Sequence, residues 1–436
     1  MVAPLHRFPE PLPIVREAPA LYRPRRPERS AFYRLIEERF DAFALAHEER
    51  FEKEDGPLRP VVRKAVDAFF ACGRPEAGFA RVHCPECHAD YLVPFSCQTR
   101  NFCPSCQQKR AELFAEKLRE EILAPVPHRH VVFTIPVALR GLFRRERRLL
   151  GLLTRCAYET VKRCYRAVLG RRDGVPGMVV AIQTFGNQAQ WNPHCHCLVS
   201  DGLFLPGGEF VPAPPYDEGM ERLLTETFRQ LVLDALVSEE RLSEGFRERL
   251  LSFRHGGGFS VYGRHLILNE EPARLAHMAR YAVRAPVSMD RVHTTDDGRV
   301  LLEIPPGPKT GATVLVLDPL EWVRRITNQI PDPKMHMTRM YGAYSNRARR
   351  LYRGEGGTPV RIVETERLPK SRASWARLLR KVFEVDPLAC PRCSATMKIV
   401  SVITTPALID RILGHLRRTG KDDLHRVHGA RAPPAA

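Results

Sequence analysis

Along the 436-residue chain the period of the apolar positions changes several times. Phe32, Leu35, Ile36 and Phe40 recur at helical spacing, and the stretch 31–72 reads as helix. Cysteine-rich turns fill 80–107, and a helix from Gln107 to Leu123 ends at the breakers Pro125 and Pro127. His130–Pro136 (HVVFTIP) reads as a buried strand and Phe143–Leu169 as a basic amphipathic helix. Gly177–Gly186 (GMVVAIQTFG) and His194–Phe204 (HCHCLVSDGLF) read as two more strands, joined by a short polar link suited to an antiparallel pair. Then follow a helix at Glu218–Val237, a strand at Gly258–Leu268, a short helix at Glu271–Arg284, brief strands at Leu301–Ile304 and Val314–Leu317, and a helix near Pro406–Leu416. The mixture predicts an α+β fold with no internal repeat.

Four regions are expected. Residues 1–30, rich in proline and arginine, form an extended arm. A helical and cysteine-bearing domain spans 31–125, a larger α+β domain spans 126–350, and a basic linker, a further Cys-x-x-Cys and a disordered tail occupy 351–436. The apolar content of 44% is that of a folded protein, and the net charge of +18 favours a polyanionic partner. No apolar run has spanning length and Met1–Pro13 carries no signal peptide, so nucleic acid is preferred to a membrane. Six of the 12 cysteines form three Cys-x-x-Cys pairs, a pattern of metal binding in a reducing cytoplasm.

Cys84-Pro-Glu-Cys87 and Cys103-Pro-Ser-Cys106 have the spacing of a four-thiolate structural zinc site, with Cys97 and His83 as substitute ligands. Four filled positions leave none open for chemistry, so the module reads as structural and DNA-contacting, flanked by Arg81, Arg100, Lys109 and Arg110. Cys390 and Cys393 form a pair without a partner, either borrowing ligands from elsewhere or simply reduced.

In Trp191-Asn-Pro-His-Cys-His-Cys-Leu-Val-Ser-Asp-Gly202, strand alternation points His194 and His196 one way and Cys195 and Cys197 the other. Two imidazoles on one strand face suit a divalent cation, with Gln183 of the preceding strand as candidate third ligand and magnesium or manganese as candidate metal. On the helix Glu271–Arg284, Leu275, Met278, Ala279 and Ala282 share one face. Tyr281 lies on the opposite, basic face with Arg274, His277 and Arg284. Such neighbours can hold a phosphate and stabilise a phenolate, whose ordinary pKa is about 10.

Taken in order, FCPSCQQKRAE, HVVFTIP, QTFG, NPHCHCLVSDG, HMARYAVRAP, LVLDPLEWVRRI, MYGAYSNRAR and CPRC resemble the bacterial rolling-circle transposases of the insertion sequence ninety-one type. These belong to the HUH endonucleases, named for His, a hydrophobic residue, His. The resemblance spans roughly 60–400. It implies an antiparallel-sheet HUH core carrying His194 and His196, behind an N-terminal helical and zinc-binding domain and before a small C-terminal cysteine-containing region. It also implies metal-dependent nicking of single-stranded or hairpin DNA by Tyr281 through a 5′-phosphotyrosine, beside the bacterial nucleoid. Many members carry two tyrosines four residues apart. Here the earlier position is His277, which leaves reuse of one tyrosine or recruitment of a second from a homodimer partner, with Tyr341 and Tyr344 as back-up nucleophiles. The rival readings are a plasmid replication initiator or relaxase, and a non-catalytic zinc-dependent DNA-binding regulator. Gly307–Thr310 and His255–Gly258 lack the spacing of a phosphate loop and the serine motif of an esterase, and read as turns.

Overall fold

The computed structural model describes residues 27–206, 209–253, 255–306, 311, 313–348, 388–390 and 392–419. The arm expected at 1–30 falls, up to residue 26, outside the described residues, as do the 307–310 turn, residues 349–387 of the basic linker and the tail from 420. The chain divides into two compact units: one takes in the described residues of 27–74 and 95–348, the other Pro75–Pro94 with those of 388–419.

The larger unit begins with three helices, α1 (Ala31–Arg50), α2 (Glu52–Asp55) and α3 (Pro60–Phe70). Ser30 caps α1 by accepting from the Tyr33 N–H, and Phe32 packs edge-on against Phe69, Phe102 and Trp322. The smaller unit contributes the next two strands, β1 (Phe79–His83) and β2 (Asp90–Pro94), where the sequence suggested only turns. The chain then returns to the larger unit with α4 (Pro104–Lys117), which runs into a π-turn at Leu118–Ile122.

The centre of the larger unit is a five-stranded antiparallel sheet. Its strands are β3 (His128–Thr134), β4 (Gly177–Phe185), β5 (Trp191–Ser200), β8 (Ser260–Ile267) and β12 (Thr338–Gly342), in the order β12-β4-β5-β3-β8. Helices α5 (Val137–Arg145), α6 (Leu150–Val168) and α7 (Glu218–Ser238) share a core with Val131, Phe133, Val180, Ile182, Cys195, Cys197 and Val199 on one face. On the other face, Ala115 and Leu118 pack with Val179, Leu198 and Ala279, the last from α9 (Pro272–Ala282). Both faces are covered, so all of β4 is buried and its sequence is nearly continuously apolar.

The expected single helix at 143–169 is two. Glu146 leaves helical geometry and a short 3-10 turn at Arg147–Leu149 separates α5 from α6. The cause is Arg147, which is buried, donates to the carbonyls of Asn328 and Ile330 and lies 4.6 Å over the Trp191 ring. A continuous helix would have to give up those bonds.

The hairpin β6 (Gly202–Phe204) and β7 (Phe210–Pro212) follows β5, and α8 (Glu244–Ser252) follows α7. A three-stranded sheet of β9 (Val292–Thr294), β10 (Val300–Ile304) and β11 (Thr313–Leu317) leads to α10 (Pro319–Thr327). Arg324 of α10 pairs with Asp55, which also meets Arg144 of α5, so three distant segments share one buried carboxylate.

In the smaller unit, β13 (Lys398–Ile403) pairs antiparallel with β1, giving the order β13-β1-β2, and α11 (Pro406–Arg418) packs Ile409 and Leu413 against Phe79, Leu92 and Ile403.

One buried ion pair secures the end of the central sheet. Arg129 of β3 makes two bonds of 2.8 Å to Asp201, just after β5, and a third to the carbonyl of Gly263. Asp201→Ala leaves this guanidinium buried without its counter-charge, and the expected loss is about 3–5 kcal/mol, measured by denaturant unfolding of the two proteins.

Candidate active site and metal centres

On β5 the side chains alternate as the sequence predicts: His194 and His196 face the α4/α9 layer, while Cys195 and Cys197 enter the opposite core. Burial pushes the Cys195 thiol up to about 12, so it serves as a small apolar filler there. Antiparallel register sets Gln183 of β4 opposite His194, and Ala181 opposite His196. The small side chain at 181 leaves room beside the His196 ring.

Nε2 of His194 and Nε2 of His196 are 3.1 Å apart. Two nitrogens in adjacent positions on an octahedral ion, with bonds of ~2.1 Å, lie about 3.0 Å apart. The Asn192 carbonyl, 2.7 Å from Nδ1 of His194, accepts that nitrogen's proton and leaves Nε2 with a free lone pair. Nδ1 of His196 is 3.0 Å from Nε2 of His130, and those two rings stack with planes 3° apart. Burial lowers the His194 pKa to about 4, opposed by the Asn192 carbonyl and reinforced by Arg284 and Arg140. Burial, helped by its histidine neighbours and Arg284, lowers that of His196 well below the usual value. The pair is therefore neutral at pH 7, the state that binds metal.

Gln183 is only 2% exposed. Its Nε2 donates to the carbonyls of Tyr281 (2.8 Å) and Ala282 (3.0 Å), while its buried Oε1 has no hydrogen-bond partner. An unsatisfied carbonyl oxygen across the strand from the imidazole pair fits a cation better than an apolar interior.

Tyr281 stands at the last turn of α9, 39% exposed. Its ring meets the His196 ring edge-on, with centroids 5.3 Å apart, and the Arg284 guanidinium lies 5.1 Å over its face. The Arg284 Nε is buried without a partner, so a donor remains beside the phenol. The back-up tyrosines are elsewhere. Tyr344 is buried with its hydroxyl 2.6 Å from His128, and burial pushes its phenol up. Tyr341 stacks on Tyr158 and bonds Thr154 in the α6 layer.

The cysteines correct the expected zinc register. Cys84, Cys87, Cys103 and Cys106 do not form one site. Cys103 and Cys106 meet Cys72 and Cys97 in the larger unit, and Cys84 and Cys87 meet Cys390 and Cys393 in the smaller one. Tetrahedral thiolates with Zn–S bonds of ~2.3 Å put sulfurs about 3.8 Å apart. The separations are 3.8 Å for Cys72–Cys106, 3.5 Å for Cys97–Cys106, 3.6 Å for Cys84–Cys393 and 3.4 Å for Cys87–Cys390. Both sets fit closed, structural zinc. The physical reason for the split is the β1–β2 hairpin: pairing with β13 carries the Cys84–Cys87 turn to the late pair. His83 is occupied by Asp90 at 3.1 Å and ligates neither set.

Two family profiles match the chain: a transposase zinc-binding domain over residues 43–135 and a putative transposase over 177–351. The transposase of insertion sequence element IS801 from Pseudomonas savastanoi pv. phaseolicola is 25% identical over 80% of this chain and 86% of its own length. A putative transposase, y4qJ, from Sinorhizobium fredii (strain NBRC 101917 / NGR234) is 27% identical over 69% of this chain and 79% of its own. The chain belongs to the IS91 family of transposases. No solved structure matches it.

A transposase acts on DNA, and among the described residues no helix is long and apolar enough to cross a membrane. The zinc-binding match contains six of the eight clustered cysteines, while Cys390 and Cys393 lie beyond both matched regions. Five of the six arginines and lysines singled out in the sequence have different surroundings in this transposase. Arg100 donates to the carbonyls of Met335 and Asp332 and so secures a loop. Arg274 pairs with Glu271 on the exposed side of α9. Lys109 is on α4 beside Arg110. Arg100, Arg110 and Arg284 line a cavity of about 190 Å³ with Gln183, Phe185 and Phe114. Sequence reasoning missed Cys72, a lone thiol after a helix, and His130, whose signal was a polar residue opening an otherwise apolar strand.

Purified, reduced transposase is expected to hold two zinc ions per chain. Cys390→Ser and Cys72→Ser should each lower the content to one in metal analysis. Retention of both ions by either variant would contradict the pairing.

Proposed function

We propose that this transposase nicks and rejoins single-stranded DNA through Tyr281, with a divalent cation held by His194, His196 and Gln183, and that its element moves by a rolling circle. The observation that carries the reading is the convergence of the paired imidazoles, the orphan Oε1 of Gln183 and the Tyr281 phenol at one end of α9. The sheet core fits an HUH nuclease. Magnesium or manganese, when bound there, polarises a phosphate oxygen and offsets its developing charge.

The chain's own groups supply the remaining steps. Asn192 and His130 hold the two imidazoles with their Nε2 atoms 3.1 Å apart. Arg284, lying over the Tyr281 ring, offers its guanidinium to a phosphate oxygen. The phenolate oxygen attacks phosphorus as the bond from phosphorus to O3′ breaks. The phenol's proton passes to solvent, and the departing O3′ takes one up. The products are a 5′-phosphotyrosine on Tyr281 and a free 3′-hydroxyl able to prime synthesis. Attack by a 3′-hydroxyl on the phosphotyrosine reverses these bond changes, so joining needs no nucleotide cofactor. His277 lies one turn before Tyr281, so a second cleavage either reuses Tyr281 or draws on a second copy of the chain in a homodimer. An unpaired or hairpin strand suits the site because the phosphate must reach a phenol set against the sheet face.

Tyr281→Phe should abolish the covalent adduct with labelled single-stranded element ends while leaving binding within about twofold, the phenol being a small part of a phosphate-dominated interface. A chelator should stop nicking and added magnesium or manganese restore it. Adduct formation by Tyr281→Phe, or chelator-resistant nicking, would overturn the reading. DNA affinity should fall on the order of a hundredfold as salt rises a few-fold, since several phosphates are neutralised. Efficient cutting of linear duplex with none of the single strand would point to a double-strand nuclease.

A further inference from the structure

We infer that the Cys72–Cys97–Cys103–Cys106 centre positions the tyrosine helix, acting through Gln107. This rests on the reading of Tyr281 as nucleophile. It assigns the centre a task beyond holding the N-terminal region folded or touching DNA.

Two of the four thiols are built into the start of α4. Cys103 is its N-cap and Cys106 lies in its first turn. The next residue, Gln107, is 3% exposed, and its amide is used at both ends. Oε1 accepts from the backbone N–H of Asn101 (3.0 Å), inside the loop that joins Cys97 to Cys103. Nε2 donates to the carbonyl of Val283 (2.7 Å), the C-cap of α9.

The final carbonyls of a helix lack intrahelical donors and must find others. At the end of α9 the carbonyls of Tyr281 and Ala282 receive the Gln183 amide from the metal strand, and that of Val283 receives the Gln107 amide from the cysteine centre. Two glutamines thus hold the turn that bears the nucleophile, one from each side. The contact continues along both helices: Glu112 pairs with Arg280 at 3.3 Å, and Ala115 packs with Ala279. Alanines at that contact let the backbones approach closely. A shift of the cysteine centre therefore moves α4, and with it the carbonyl that sets the Tyr281 turn. Gln107 reaches neither the imidazole pair nor the phenol, so its role is positioning.

Gln107→Glu separates the two halves of this amide. It keeps an acceptor for the Asn101 N–H and replaces the donor to Val283 with an oxygen that repels the carbonyl. Both zinc ions should remain, and affinity for a single-stranded oligonucleotide, measured without added magnesium or manganese, should stay within about twofold. Single-turnover adduct formation should slow about a hundredfold, the scale of a displacement of ~1 Å at a reacting atom. Amide exchange over 279–285 should rise. Gln107→Met, which keeps the length and loses both bonds, replaces it if the charged variant fails to hold zinc. Wild-type adduct rates with unchanged exchange, or slowing only in variants that have also lost zinc, would overturn the inference. Tyr281→Phe, run in parallel, separates the two claims. If it still forms the adduct, the nucleophile reading fails, while exchange over 279–285 still reports whether Gln107 holds the helix end.

Discussion

The Gln183 amide is the joint on which the site depends. Its two N–H donors are used on the end of α9, and its buried oxygen has no hydrogen-bond partner. A buried carbonyl without a partner costs about 1–3 kcal/mol, a cost that a cation on this oxygen would offset. Because the amide is planar, an ion held by this oxygen would be tied to the tyrosine turn. On the proposed reading, a ligand for the metal and an anchor for the nucleophile are one side chain.

The sheet makes this joint possible. β5 lies between β4 and β3 with both faces covered, so strand alternation sends the imidazoles to one layer and the thiols to the other. Register then does the rest: Gln183 sits across from His194, and Ala181 gives the His196 ring its space. A slip of one residue in β4 would exchange Gln183 for Ile182 or Thr184 and leave the pair without a facing carbonyl oxygen. The buried β4 run resists that slip.

Much of this was legible in the chain. The period-2 face of His194 and His196, the partnership of Gln183 with that strand and the polar side of the Tyr281 helix all follow from local spacing, and the packing of Leu275, Met278 and Ala279 agrees with it. Thiol pairing was not legible in the same way. Cys84, Cys87, Cys103 and Cys106 have the spacing of one contiguous site, but which sulfurs meet is decided by the pairing of β1 with β13, some 300 residues apart in sequence. Spacing cannot report a contact that a distant strand creates. Cys72 carried no motif, and His130 looked like the polar start of a buried strand. Its value appears only once β3 lies beside β5 and its ring stacks on His196. The break between α5 and α6 was hidden for a related reason, since Arg147 looks like one more basic helix residue until its carbonyl partners are known.

The proposed chemistry has one residue as the point of covalent attachment. Peptide sequencing by mass spectrometry, after nuclease and protease digestion of the trapped protein–DNA complex, tests this most directly. The expected product is a nucleotide joined through its 5′-phosphate to Tyr281, formed only when magnesium or manganese is present. A nucleotide on Tyr341, on Tyr344 or on any other side chain would contradict it.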